Sequence, residues 1–134
     1  MLINILIIIC TGLLLGSLLE FVYKSIARHK IHPPKLVEVQ MYLYTAILLY
    51  ILFILKTHFI TNILIILIFT TGIEFLIGFI LFRKGEELWS YKNEWLNYKG
   101  IICLKFSLIW LSLSLIALYI IYPWFLKIGL LKIY

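Results

Sequence analysis

The 134-residue sequence contains no aspartate; its only acids are six glutamates. Charged residues make up 13% of the chain, against about 25% in an average soluble domain. So little polar surface could not cover a water-facing exterior, which excludes a soluble globular protein. The apolar share is 64%, which excludes a disordered chain, since disorder needs low hydrophobicity. Cysteine is scarce. Cys10 and Cys103 belong to no C-x-x-C or Cys/His cluster, so metal ligation has no support. The topology derived below puts them near opposite faces of the membrane, beyond the Cα separation of about 7 Å that a disulfide allows. Catalytic motifs are lacking too. There is no G-x-x-x-x-G-K-[ST], G-x-S-x-G, H-E-x-x-H or EF-hand pattern, so no catalytic residue, metal or cofactor is assigned. His29, His32 and His58 are scattered in loops as ordinary polar residues.

What is present is long apolar runs. A bilayer core of ~30 Å takes about 20 residues of helix at ~1.5 Å each. Four runs qualify, over 2–23, 39–55, 59–82 and 101–122. The chain is therefore expected to be all-α: a single transmembrane domain over 1–134, built as an integral membrane four-helix bundle. The first run lacks a basic n-region and a small-residue cleavage site, and it exceeds a signal-peptide core, so it reads as a retained helix. Pro33-Pro34 ends any helix in the first loop, and Pro123-Trp124 closes the last run.

Four crossings put both ends on one side. The loops after the first and third runs, with the first turn of the fourth, hold Lys24, Arg28, Lys30, Lys35, Arg83, Lys84, Lys92, Lys99 and Lys105. The other side has Lys56, Lys127 and Lys132. By the positive-inside rule the long loops are cytoplasmic and both termini lie outside a bacterial inner membrane. Bases confined to such loops report orientation and contact with anionic lipid, not a nucleic-acid interface.

Residues 19–30 (LEFVYKSIARHK) align with 73–84 (IEFLIGFILFRK). Each places a Glu-Phe pair in the cytoplasmic half of a helix running outside to inside. This is the pattern of a parallel repeat of two helical hairpins.

Glu20 and Glu74 are the informative residues. An ionised carboxylate within a helix costs about 2.5–3.5 kcal/mol on insertion scales. It therefore faces protein or water, finds a partner, or takes up a proton. Glu20 has Lys24 one turn on, on the same face; a simple ion pair at the interface is the plain structural reading. Glu74 has no basic residue within a turn. Its neighbours Thr70, Thr71 and Gly78 form a small polar stripe that should face another helix. Gly12, Gly16, Glu20 and Lys24 form a similar stripe on the first helix. Helices one and three are thus expected to pack through these faces, placing both carboxyls in one interior. The plain alternative for Glu74 is a structural hydrogen bond between helices.

The segment 83–100 carries Leu88, Trp89, Tyr91, Trp95, Leu96 and Tyr98 among Glu86, Glu87, Lys92, Asn93 and Glu94. It reads as interfacial, with the aromatics in the headgroup layer. The sharper reading is that it closes the cytoplasmic mouth of a cavity holding Glu20 and Glu74.

The segment 88–110, LWSYKNEWLNYKGIICLKFSLIW, resembles the C-terminal signature of the putative ABC-transporter type IV family, small CmpB-like bacterial membrane proteins. Trp89, Tyr91, Asn97, Gly100, Ile102, Cys103, Leu104 and Trp110 fall on that signature. GSLLEF (16–21) and GIEFLIGFI (72–80) resemble the family's two Glu-bearing helices. Ser90 stands where an Asp is usual, Ile101 where a base is usual, and the Gly- and Pro-rich stretch after the first basic loop is missing, so this is a divergent member. The resemblance implies a permease-like role.

The expected function is a small permease-type or transport-associated component. Glu20, Glu74, Lys24, Thr70 and Thr71 form its substrate or ion path. Trp89, Tyr91, Trp95, Asn97 and Gly100 form its interfacial segment. Its partners are the lipid bilayer, a homo-oligomer or second membrane subunit, and, if ATP drives it, a separate ATPase chain. Two rivals remain open: an oligomeric pore-forming effector, and a lipid-active enzyme at the cytoplasmic interface using Glu86, Glu87, Glu94 and Asn97.

Overall fold

The computed structural model describes residues 2–28 and 35–132. His29, Lys30, His32 and the Pro33-Pro34 stop lie outside the described residues. Helix α1 spans Leu2–Arg28, α2 Leu36–Leu55, and α3 Phe59–Arg83. A two-stranded hairpin, β1 (Asn97–Tyr98) and β2 (Ile102–Cys103), precedes α4 (Leu104–Ile116). A π-turn, Ala117–Ile121, links α4 to α5, Tyr122–Lys127. Four helical stretches are long and apolar enough to cross a membrane: Leu2–Ile26, Leu36–Leu55, Phe59–Arg83 and Leu104–Lys127.

The helices differ from expectation mainly at their ends. The segment from Lys24 to Arg28 prolongs α1 instead of ending it, because Lys and Arg are good helix formers. α2 begins three residues earlier than its apolar run, so Glu38 sits in its first turn, where an acid complements the helix dipole. The expected stop at Pro123 does not occur. Proline lacks an N–H and crowds the carbonyl four residues back. The π-turn relieves this: Tyr122 N–H donates to Ala117 O, five residues back, and the helix continues to Lys127.

Each helix packs along its neighbour in sequence, α1 on α2, α2 on α3, and α3 on α4. The tightest approach is made by glycine. A Cβ on Gly12 would lie 2.6 Å from Ala46 Cβ, and one on Gly16 would lie 2.5 Å from Tyr42 Cγ. The small face of α1 is therefore approached by α2, which corrects the expected pairing of α1 with α3. Small residues mark a close contact without naming the helix that makes it. On α3, a Cβ at Gly78 would meet the Ile101 side chain and would lie 3.2 Å from Trp89 Cζ2. That glycine seats the hairpin.

The apolar core sits at the end carrying the chain termini. Ile8, Ala46, Leu49, Leu52, Ile66, Leu118 and Tyr122 are buried together there. Asn4 ties the two ends of the chain: its Oδ1 accepts from Lys132 N–H (3.2 Å), and its amide donates to Lys132 O. The opposite end of the bundle holds the carboxyl groups.

Candidate functional site

Glu20, Lys24, Glu38 and Glu74 line one cavity of about 480 Å³ between the helices. Tyr23, Tyr42, Trp89, Tyr91, Phe106 and Trp110 supply its aromatic walls. The two carboxyls singled out in the sequence thus open on the same space, although the helices bearing them do not pair.

On the α1–α2 side, Lys24 Nζ lies 2.6 Å from Glu20 Oε1 and also bonds Glu38 Oε1. The Glu20–Lys24 pair follows from spacing alone. Glu38 does not, because the expected start of the second helix at residue 39 left it in the loop. Its other oxygen accepts from Lys35 N–H (2.7 Å), fixing the start of α2 across which Lys24 reaches. The acid in the first turn of a helix was the available signal. Glu38 is 3% exposed and Lys24 and Glu20 are half-buried, so one ammonium is held between two carboxylates. Such a cluster holds only while all its members are present.

On the α3 side, Glu74 is 2% exposed, and its partner is neutral: Tyr91 O–H donates to Glu74 Oε1 at 2.7 Å. Tyr91 stacks on Phe106 with ring centroids 4.7 Å apart. Burial, and then the adjacent Glu74, push the Tyr91 phenol up from its ordinary range, so it stays a donor at physiological pH. Glu74 Oε2 and Glu20 Oε2 are buried without a hydrogen-bond partner among the described residues.

The hairpin explains how Tyr91 reaches inward. Lys99 and Gly100 have φ of 52° and 69°, and Ile101 N–H donates to Tyr98 O (3.0 Å), as in a turn with two left-handed central residues. A Cβ at Gly100 would also lie 2.7 Å from Lys92 Cγ. The turn's carbonyls then hold the preceding aromatics. Tyr91 N–H donates to Gly100 O and Trp89 Nε1–H to Ile101 O, both at 2.8 Å. Asn97 closes the segment: its amide donates to Glu94 O (2.8 Å), and its Oδ1 accepts from Gly100 N–H (3.1 Å).

Trp89 and Tyr91 therefore face protein instead of the headgroup layer. Trp95 is 76% exposed, and Leu96 and Tyr98 are exposed with it. Of the stripe on α3, Thr71 donates to Ser107 Oγ (3.0 Å) on α4 and Thr70 to Ile66 O (2.8 Å) in its own helix. Neither threonine lines the cavity. Thr71 joins α3 to α4, and Thr70 stays within α3, because a hydroxyl in an apolar segment takes the nearest acceptor.

The model of the putative ABC-transporter type IV family matches residues 6–133. The chain belongs to this family. No curated protein and no solved structure matches it. The match takes in Glu20, Glu38 and Glu74 and the whole hairpin. In this member of the type IV family, the signature-like residues Trp89, Tyr91, Asn97 and Gly100 are parts of one device: a folded turn that delivers a phenol to a buried carboxyl.

Proposed function

We propose that the protein is a permease-like component of a transport system, embedded in the bacterial inner membrane with both termini outside. Its path runs through the cavity that Glu20, Lys24, Glu38 and Glu74 line, and the 83–100 segment covers the cytoplasmic mouth. Thr70 and Thr71 serve packing. Energy from ATP would come from a separate ATPase chain, and a second copy or partner subunit would complete the passage, since four helices enclose little volume.

The observation that supports this reading is Glu74 itself. A carboxyl 2% exposed within an apolar helix, with one oxygen unpartnered among the described residues, is costly to keep. A side chain needed only for packing would carry no ionisable group. The family's transport name favours the same reading.

The test is complementation. A deletion strain is screened for altered accumulation of a panel of amines, acids, sugars and ions, then complemented with wild type or Glu74→Gln at matched membrane levels. The glutamine variant should insert normally and fail to restore accumulation. Full restoration across the panel would reduce Glu74 to packing and remove the path. Rapid loss of membrane potential on expression, dependent on Glu74, would instead favour a pore.

A further inference from the structure

The cavity has a lopsided chemistry. Its lining carries three carboxyls, Glu20, Glu38 and Glu74, and one ammonium, Lys24, which pairs with the first two. A fourth, Glu94, stands at the rim and is occupied by Lys105, whose Nζ lies 3.1 Å from both of its oxygens. Glu20 Oε2 and Glu74 Oε2 are acceptors with no donor among the described residues. Unpaired acceptors in a low-dielectric site call for a ligand that brings N–H donors and positive charge. An anion would meet the same oxygens as repulsion. The walls fit a cation as well: aromatic rings surround the carboxyls, and an ammonium near such rings gains further attraction.

The apolar side of the cavity continues into a second one of about 140 Å³, which shares Leu19, Tyr42, Trp110 and Leu113 with the first. Beyond them it is lined by Leu15, Leu49 and the glycine face of α1, with no charged side chain. A polar chamber with acceptors and a contiguous apolar groove together have the shape of an amphiphile.

We infer that this cavity binds a protonated alkylamine, its ammonium group donating to the free oxygens of Glu74 and Glu20 and its hydrocarbon chain lying in the groove between α1, α2 and α4. This rests on the path reading above and supplies its substrate class. A free amine and the headgroup of an aminolipid share this chemistry.

The test uses the full chain in phosphatidylcholine nanodiscs, whose lipid headgroup has no N–H. Binding of radiolabelled hexylamine is measured by equilibrium dialysis at neutral pH, with empty nanodiscs subtracted. Saturable binding is expected. Glu74→Gln and Glu20→Gln should each weaken it about tenfold, or about 1.4 kcal/mol. Hexanol and hexanoate should compete at least about tenfold less well than unlabelled hexylamine, a comparison that needs no variant. Equal competition by hexanoate or hexanol, unchanged binding in both variants, or no saturable binding would overturn the inference. Repeating the titration with phosphatidylethanolamine in the nanodisc assigns the source. Competition identifies a bilayer aminolipid and its absence a free amine, and either keeps the ammonium site. The two readings fail separately. No amine binding while Glu74→Gln still fails to complement removes the substrate class alone. Amine binding with full complementation removes the path and leaves a binding site.

Discussion

The two halves of the molecule bury a glutamate at corresponding places and satisfy it in opposite ways. In the α1–α2 half, Glu20 shares the ammonium of Lys24 with Glu38. In the α3–α4 half, Glu74 has, among the described residues, only the phenol of Tyr91, delivered by a segment outside the membrane span. An ion cluster made of residues within the two helices is fixed once the helical hairpin forms. A hydrogen bond from a loop depends on the fold of that loop, here seated on α3 at Gly78. The Glu74 contact thus depends on the folded 84–103 segment, and the Glu20 cluster on the α1–α2 hairpin alone.

The largest effect that would break this contrast is expected at Lys24. Lys24→Met leaves Glu20 and Glu38 facing each other without a cation, and removing one member of a buried ion cluster costs about 3–5 kcal/mol. SDS titration of helicity in mixed micelles reads this loss; a midpoint equal to wild type would mean that the cluster is solvated. Tyr91→Phe is expected to cost less, about 1–3 kcal/mol for a buried acceptor left without its donor. Its signature is local: proteolysis within 84–103 accelerates while the helices keep their SDS midpoint to within that amount. If Tyr91→Phe destabilises the fold as much as Lys24→Met, the loop is as integral as the helices and the contrast fails. Trp95→Ala should change the midpoint by under about 0.5 kcal/mol, because the ring is 76% exposed. A loss as large as that of Tyr91→Phe would show that Trp95 anchors the hairpin.

Much of this was legible in the residues. The four spans follow from apolar length, and Glu20–Lys24 from one turn of helix. Glu38 escaped because the onset of a helix was set by where its apolar run began, and a polar first turn is invisible to that criterion. Pro123 misled because proline is a stop only where the backbone cannot insert a residue, and the π-turn at Ala117–Ile121 does so. The inward turn of Trp89 and Tyr91 was hidden for a different reason. Aromatics in a polar stretch next to a membrane helix have the composition of a headgroup belt. Only the backbone path through Lys99 and Gly100 decides which way they point. Gly12 and Gly16 announced a close contact, but the choice between α2 and α3 depends on tertiary geometry that spacing does not carry.

The Glu74 carboxyl opens on a shared cavity while Thr70, one turn before it, is packed. In nanodiscs, with Cys10 and Cys103 replaced by Ser, Glu74→Cys and Thr70→Cys are compared for reaction with a small water-soluble thiol reagent. The thiol at 74 is expected to react and the thiol at 70 to be protected. An inert thiol at 74, or equal reaction at both positions, would contradict this arrangement.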